Sequence, residues 1–270
     1  METEINKDKV HYDVLVVEDE EVVRLSVVRI LDAENITVDI ALDAEMAIEK
    51  FSNNIYKLVI TDLMLPGISG MELIKKLKDM KYEIPIIMIT GYATLENAIK
   101  SIQNGAYDFL PKPFSYEELA GIATRAIKVS EEPGKFNLPE LRKNNKFNEN
   151  IKKVYYMGLH SWVKIFADNS IFVGAGVSFQ GTIGEIEKIN LPELGSDIYQ
   201  GNSMVQIVAK NGFAHTIWSP LSGRVMGRND GILKNPKILT DSPLMDGWLL
   251  KIIPTNYDDE IQNLSEEKDF

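Results

Sequence analysis

The first half of the chain alternates short, continuous apolar runs with amphipathic stretches, and this alternation restricts the fold more than any other feature. The runs fit buried strands, and the stretches between them carry apolar residues at helical spacing. Strands that lack polar alternation are buried on both faces, so we expect a parallel sheet covered by helices on both sides. The predicted strands are Val14–Val17, Thr37–Leu42, Leu58–Ile60, Pro85–Ile89 and Tyr107–Leu110.

Composition narrows the class of protein. The 270 residues carry a net charge of −11 and no cysteine, which excludes disulfides and thiolate metal sites. No apolar run is long enough to cross a membrane, and the charged N-terminal stretch does not predict a secretory signal. Neither half has the basic excess that binding to a nucleic-acid backbone requires. We therefore expect a cytoplasmic protein without a membrane or nucleic-acid partner.

The pattern changes twice along the chain. Residues 12–130 form the predicted α/β domain, and residues 131–153 read as a polar linker. Residues 154–255 carry frequent glycines, prolines and short apolar alternations, which predict a small, mostly β domain. The acidic residues 256–270 are predicted to be a disordered tail.

Chemically suggestive side chains follow four of the five predicted strands. Glu18 and Asp19 follow the first strand, Asp62 the third, Thr90 the fourth and Lys112 the fifth. The carboxyl ends of parallel strands meet at one edge of a sheet, where such folds place their functional residues. Carboxylates there suit a hard cation such as Mg²⁺, and a carboxylate can be the nucleophile of phosphoryl transfer. Singly these residues could be helix caps or solvated loop side chains, but one acidic pocket explains all of them.

This constellation resembles the receiver domain of two-component response regulators, a flavodoxin-like doubly wound (βα)5 fold. The resemblance rests on the motifs Val16–Glu20, Thr61–Gly67, Ile89–Gly91 and Tyr107–Phe114. One motif alone would be weak, whereas four in order at the expected strand ends are specific. The resemblance covers about residues 12–130.

The resemblance implies a role for each residue of the acidic pocket. Asp62 would accept the phosphoryl group from a sensor histidine kinase or a phosphotransfer protein. Glu18, Asp19, Asp62 and the backbone carbonyl of Met64 would hold Mg²⁺, and Lys112 would contact the phosphate. Glu18 stands where aspartate is commoner in the family.

The resemblance also implies a conformational switch. Thr90 would move toward the phosphate, and the aromatic side chain of Phe109 would move with it. The Lys112–Pro113 peptide bond is expected to be cis. Met64 and Tyr92 stand at positions that tune phosphate loss, and neither offers a small polar group to orient water, so we predict a long-lived phosphoryl state.

The second half resembles the H protein of the glycine cleavage system, a lipoyl-domain-like β-sandwich. The resemblance rests on His160–Lys164, Gly184–Ile186, Leu191–Gly195, Trp218–Val225, Asn235–Pro236 and Gly247–Ile252. The family carries lipoate on one lysine at a hairpin tip.

The lipoyl lysine is missing at its expected place. Counting back from Pro220 reaches Gly212, and counting forward from Gly201 reaches Asn211. Asn211-Gly212 is a strong tight-turn signal. Lys210 is the nearest lysine and a weak candidate, so we do not expect lipoate.

Three functions compete. The first is a response regulator of a phosphorelay. Its output would be protein–protein contacts with an unknown partner, and it could form a homodimer on phosphorylation. It would have no enzyme activity beyond its own phosphorylation and dephosphorylation. The second is a receiver-regulated lipoylated carrier related to glycine cleavage, which would need Lys210. The third is a transcription regulator, which ranks last because residues 131–270 show no phosphate-binding loop and no helix-turn-helix pattern.

Overall fold

The computed structural model describes residues 9–91, 95–132, 150–179 and 181–267. Those residues form two compact units. The first contains the described residues up to 93 and residues 104–131, and the second contains residues 95–103 and the described residues from 132 onward. The first unit holds a five-stranded parallel sheet of order β2-β1-β3-β4-β5. Its strands are β1 (Val10–Val17), β2 (Val38–Ala41), β3 (Asn54–Asp62), β4 (Ile86–Thr90) and β5 (Asp108–Pro111). The helices between and after these strands in the chain are α1 (Glu21–Ala33), α2 (Ala44–Asn53), α3 (Gly70–Asp79), α4 (Leu95–Gln103) and α5 (Tyr116–Glu131), of which α4 groups with the second unit. The predicted doubly wound α/β fold is confirmed.

Burial of the strands and capping of the helices explain this arrangement. Every residue of β4 and the last four of β1 are buried, as expected for strands covered on both faces. The Asp43 side chain caps α2 by accepting from the Met46 amide at 2.7 Å. Ser69 and Glu72 form a reciprocal capping box at the start of α3. The Gly70 amide donates to the Leu63 carbonyl at 3.0 Å, so the start of α3 is held close to the end of β3.

The second unit is an antiparallel β-sandwich. A seven-stranded sheet has the order β10-β13-β14-β8-β7-β6-β15, and a three-stranded sheet has the order β12-β11-β9. The strands are β6 (Ile151–Met157), β7 (Ser161–Phe166), β8 (Ile171–Ala175), β9 (Ile186–Asn190), β10 (Asp197–Ile198), β11 (Ser203–Ala209), β12 (Ala214–Trp218), β13 (Gly223–Arg228), β14 (Trp248–Pro254) and β15 (Ser265–Glu266). Short helices α6 (Asp230–Lys234), α7 (Ile238–Asp241) and α8 (Tyr257–Glu260) interrupt the strands. Within the described ranges no helix is long and apolar enough to cross a bilayer.

Two predicted segments differ from the structure. Strand β6 begins at Ile151, inside the predicted linker 131–153. The predicted disorder of residues 256–270 is wrong for Tyr257 to Glu266, which form α8, a 3₁₀ turn and β15. Its acidic composition suggests solvation, yet Glu260 is buried and accepts from the Ser222 amide at 2.6 Å. Strand β15 also pairs with β6, so tertiary contacts order this segment.

Candidate functional site

Strand ends in the first unit bring the predicted pocket residues to one edge of the sheet. Asp62 is the last residue of β3 and Thr90 is the last residue of β4. Glu18 directly follows β1, and Lys112 directly follows β5. Because all five strands are parallel, these residues share the carboxyl edge.

Lys112 lies between the two buried carboxylates. Its Nζ is 2.8 Å from Glu18 Oε2 and 2.5 Å from Asp62 Oδ2. The side chains of Lys112, Glu18 and Asp62 are only 16%, 3% and 11% exposed, so water screens these pairs weakly. The other Asp62 oxygen, Oδ1, accepts from the Met64 amide at 3.1 Å. One carboxylate oxygen of Asp62 thus contacts an ammonium and the other a backbone amide.

The electrostatics show that one ammonium does not fully compensate the pocket. Burial raises the pKa of Glu18, the adjacent charge of Asp62 raises it further, and Lys112 only partly opposes this. Burial tends to lower the pKa of Lys112, but its hydrogen bonds to Asp62 and Glu18 outweigh burial and raise it. Lys112 is therefore a firmly protonated cation, and the two carboxylates retain an unfavourable mutual repulsion.

The remaining predicted residues lie in different surroundings. Thr90 and Phe109 are buried, and the Thr90 carbonyl accepts from the Lys112 amide at 2.8 Å. Asp19 and Met64 are exposed, with Met64 at 58%. The Lys112–Pro113 bond is cis, as predicted. Tyr92 lies outside the described residues.

The donor set fits the Mg²⁺ ion that the receiver resemblance implies. Glu18 and Asp62 offer carboxylate oxygens, the ligand type that a hard cation prefers. Burial, with a smaller contribution from the charge of Asp62, raises the pKa of Glu18, and an added cation would oppose both effects. No cluster of three or more histidine, aspartate or glutamate side chains is drawn together as a cage among the described residues. Lys112 instead bridges Glu18 and Asp62, and Asp19 remains exposed beside them.

Sequence reasoning missed two residues that shape the pocket. A Cβ on Gly70 would lie 1.9 Å from the Asp62 carbonyl oxygen, so only glycine fits there. Arg24 donates from Nη1 to the carbonyls of Glu18 and Asp19, at 3.0 Å each. The capping-box pattern of Ser69 and Glu72 marks the start of α3 in the sequence, but not the close approach of Gly70 to Asp62. Nothing in the local sequence marks Arg24.

The candidate lipoyl position lies at the hairpin tip between β11 and β12. Asn211-Gly212 forms the predicted turn, with Gly212 at φ +88°, a conformation that favours glycine. The Lys210 amide donates to the Glu185 carbonyl at 2.8 Å, and Lys210 Nζ lies 2.6 Å from Glu185 Oε1. The side chains of Lys210 and Glu185 are 58% and 70% exposed. The nearest lysine is therefore paired within its own unit.

The fold and the pocket together define an α/β domain with an acidic site, followed in the chain by a β-sandwich, and a family model matches each of the two. Residues 14–124 match the family model of the response regulator receiver domain. Residues 154–270 match the family model of the glycine cleavage H-protein. The chain therefore carries one receiver domain and one domain of the H-protein kind.

Individual relatives match one half each. The nitrogen assimilation regulatory protein NtrX of Azorhizobium caulinodans is 34% identical over 44% of this chain. The matched segment spans 26% of that protein. A "Probable glycine cleavage system H protein" of Thermococcus gammatolerans is 26% identical over 43% of this chain and 86% of its own length. The solved receiver domain of NtrX from Brucella abortus is 36% identical, covers 43% of this chain and 98% of that chain, and has a TM-score of 0.42.

Proposed function

We propose that the protein is a phosphorelay response regulator in which Asp62 accepts a phosphoryl group and the H-protein-like domain provides the output. The observation that carries the proposal is the protonated Lys112 ammonium held between Glu18 and Asp62. A buried carboxylate beside a fixed cation is poised to act as a nucleophile toward phosphorus, because the cation can offset charge on the incoming oxygens. Beyond its own phosphorylation and dephosphorylation, we propose no enzyme activity.

Phosphoryl transfer forms a bond from an Asp62 oxygen to phosphorus and breaks the bond to the donor imidazole of a kinase or phosphotransfer protein. The imidazole leaves with the electron pair of that bond. Glu18, Asp19, Asp62 and the Met64 carbonyl would hold Mg²⁺, which supplies positive charge to the transferring oxygens. Lys112 exchanges its contact with Asp62 for one with the phosphoryl group. The Thr90 hydroxyl then donates to a phosphoryl oxygen, and Phe109 repacks.

We propose that the H-protein-like domain acts through contacts with a partner protein. We propose that this domain is not lipoylated, because the two counted positions are Asn211 and Gly212, with Gly212 in a left-handed turn, and because Lys210 is paired with Glu185. Intact-mass spectrometry of protein co-expressed with a lipoylating enzyme tests this, with a lipoylated H protein as the positive control. We expect no lipoyl adduct. An adduct on Lys210 would favour the receiver-regulated carrier instead.

The switch itself is tested with acetyl phosphate. We expect Mg²⁺-dependent phosphorylation of the full chain that disappears with a chelator, and a phosphoryl state that lasts minutes or longer. Pull-down with and without acetyl phosphate identifies the output partner, and gel filtration shows whether phosphorylation produces a homodimer. Labelling that is equal with and without Mg²⁺ contradicts the proposal. A gel shift with genomic fragments tests the transcription-regulator alternative. The match to NtrX spans only 26% of that protein and does not by itself support this alternative.

A further inference from the structure

A cavity of about 270 Å³ lies in the second unit, at one end of the seven-stranded sheet. Its lining residues are Lys152, Lys153, Ile165, Asn169, Ile171 and Tyr257. Lys153 pairs with Ile165 across β6 and β7, and Ile165 pairs with Ile171 across β7 and β8. These three residues therefore form one cross-strand row on one face of the sheet. The cavity volume is close to the roughly 300 Å³ lower end of small-molecule sites.

The floor and the walls of this cavity differ in chemistry. Ile165 and Ile171 are 7% and 8% exposed and provide an apolar floor. The charged lining residues are both cations, Lys152 and Lys153, and both are exposed enough to reach a ligand. Asn169 adds an amide at the rim. A small molecule inside would meet aliphatic surface at one end and ammonium groups at the other.

Tyr257 adds a neutral hydroxyl to the wall. Burial, together with its hydrogen bond to Tyr155, raises the pKa of Tyr257 to about 12, so the phenol keeps its proton near neutral pH. Lys153 Nζ lies 3.1 Å from the Tyr155 hydroxyl, and this contact raises the pKa of Lys153. The wall therefore presents protonated ammonium and neutral phenol groups.

Glu266 is the carboxylate in contact with a lining lysine, and the charge of Asp258 acts on Tyr257. Glu266 Oε1 is 3.7 Å from Lys153 Nζ, and the two side chains are 24% and 44% exposed. An ion pair that long and that exposed contributes little, so an incoming anion can replace it. Lys152 has no ion-pair partner among the residues the structure describes.

We propose that this cavity binds an organic anion with a short aliphatic arm, its carboxylate or phosphate-monoester group at Lys152 and Lys153 and its arm along Ile165 and Ile171. Each half of such a ligand matches one half of the lining, whereas a free inorganic anion would leave the apolar floor without a partner. The site goes beyond the phosphorelay function and does not depend on Asp62.

The site is tested directly by adding small anionic probes to the full chain and monitoring the isoleucine methyl signals by NMR. Hexyl phosphate and hexanoate are the probes, hexan-1-ol is the control without charge, and inorganic phosphate is the control without an arm. We expect saturable shifts of the Ile165 and Ile171 methyls with a Kd of roughly 0.1–1 mM, typical of ligands this small. The methyls of Ile189 and Ile207, on the three-stranded sheet, should not move. Shifts with one amphiphilic probe alone identify the preferred headgroup and support the site. Absence of saturable shifts with both, or equal affinity for hexan-1-ol, overturns it.

Charge-matched variants separate a built site from general attraction. The double change Lys152→Gln and Lys153→Gln should weaken hexyl phosphate binding about 10-fold. The control is Lys188→Gln with Lys234→Gln, which removes two exposed lysines elsewhere in the same unit and should leave the affinity unchanged. Equal losses in both double variants would show non-specific attraction and refute the proposal.

Discussion

The acidic pocket and the hairpin tip both hold a lysine in close contact with a carboxylate, yet the two contacts differ in consequence. Lys112 Nζ lies 2.8 Å from Glu18, and Lys210 Nζ lies 2.6 Å from Glu185. The side chains of Lys112 and Glu18 are 16% and 3% exposed, whereas those of Lys210 and Glu185 are 58% and 70% exposed. Water and salt screen the exposed pair much more strongly than the buried pair. Burial and convergence of charge, rather than distance, therefore distinguish a chemical site from a surface contact.

The largest expected effect comes from the pocket nucleophile. Asp62→Asn should abolish labelling by acetyl phosphate with Mg²⁺, because an amide cannot form the acyl phosphate. Phosphate-affinity electrophoresis measures this. Asp79→Asn is the control, since Asp79 is an exposed aspartate at the end of α3. Equal labelling of both variants would place the phospho-acceptor elsewhere and remove the contrast with the hairpin tip.

The next effect concerns the buried cation. Lys112→Ala should slow phosphorylation by about 10- to 100-fold, because one positive charge directed at the phosphoryl oxygens is lost. Lys57→Ala is a matched control: Lys57 also contacts two carboxylates, Asp13 at 3.0 Å and Glu131 at 2.7 Å, but it is 43% exposed. The initial rate with acetyl phosphate is the measurement. Similar phosphorylation rates for the two variants would mean that the burial of Lys112 does not make it more important for phosphorylation than the exposed Lys57.

Lys164 allows the effect of burial on a lysine charge to be measured in the sandwich. Lys164 is buried between the Trp162 ring and Met245, and burial lowers its pKa to about 8, with the charge of Glu267 acting in the opposite direction. The folded-state pKa lies below the unfolded value, so the unfolded chain binds the proton more tightly. Stability should therefore rise between pH 8 and about pH 10.4, and change little below pH 8 on account of this group.

Lys164→Met should remove that rise. At pH 7 it should increase the free energy of unfolding by roughly 1–3 kcal/mol, because a buried charge is replaced by an apolar side chain of similar length. Denaturant unfolding at several pH values measures both effects. Lys234→Met, at an exposed position, should leave the profile as in the wild type. A destabilised Lys164→Met with the same pH profile would show that Lys164 is held by a favourable charge contact.

The smallest effect belongs to the hairpin tip. Lys210→Gln should leave the melting temperature and the phosphorylation rate of the chain unchanged, since the contact with Glu185 is exposed and screened. Differential scanning calorimetry at low and high salt is the measurement. A clear loss of stability that persists at high salt would mean that the tip is a structural site comparable to the pocket.

Much of the first unit could be predicted from sequence, because its signals are local. Apolar runs marked all five strands, and the polar residues that end them marked Glu18, Asp62, Thr90 and Lys112 as neighbours. The close approach of Gly70 to the Asp62 carbonyl could not be predicted in the same way. It depends on the path of the loop between β3 and α3, which no periodicity describes.

The second unit was less accessible, because its contacts join residues far apart in the chain. Composition predicted that residues 256–270 are disordered, yet Glu260 is buried against Ser222, 38 residues away. Counting from family landmarks left Lys210 open as a lipoyl candidate, and its pairing with Glu185 is visible only in the folded hairpin. Short strands with frequent turns carry little information about which distant segment covers them.

The sequence by itself determined the class of each domain, the strand ends that carry the acidic pocket, and the glycine turn where a lipoyl lysine would stand. Only the tertiary structure decided how charges are shared: Lys112 bridges Glu18 and Asp62, and Lys210 turns to Glu185. The reason is physical. Hydrophobic periodicity and turn chemistry act over a few residues, whereas burial and the strength of a charge contact depend on every segment that folds around it.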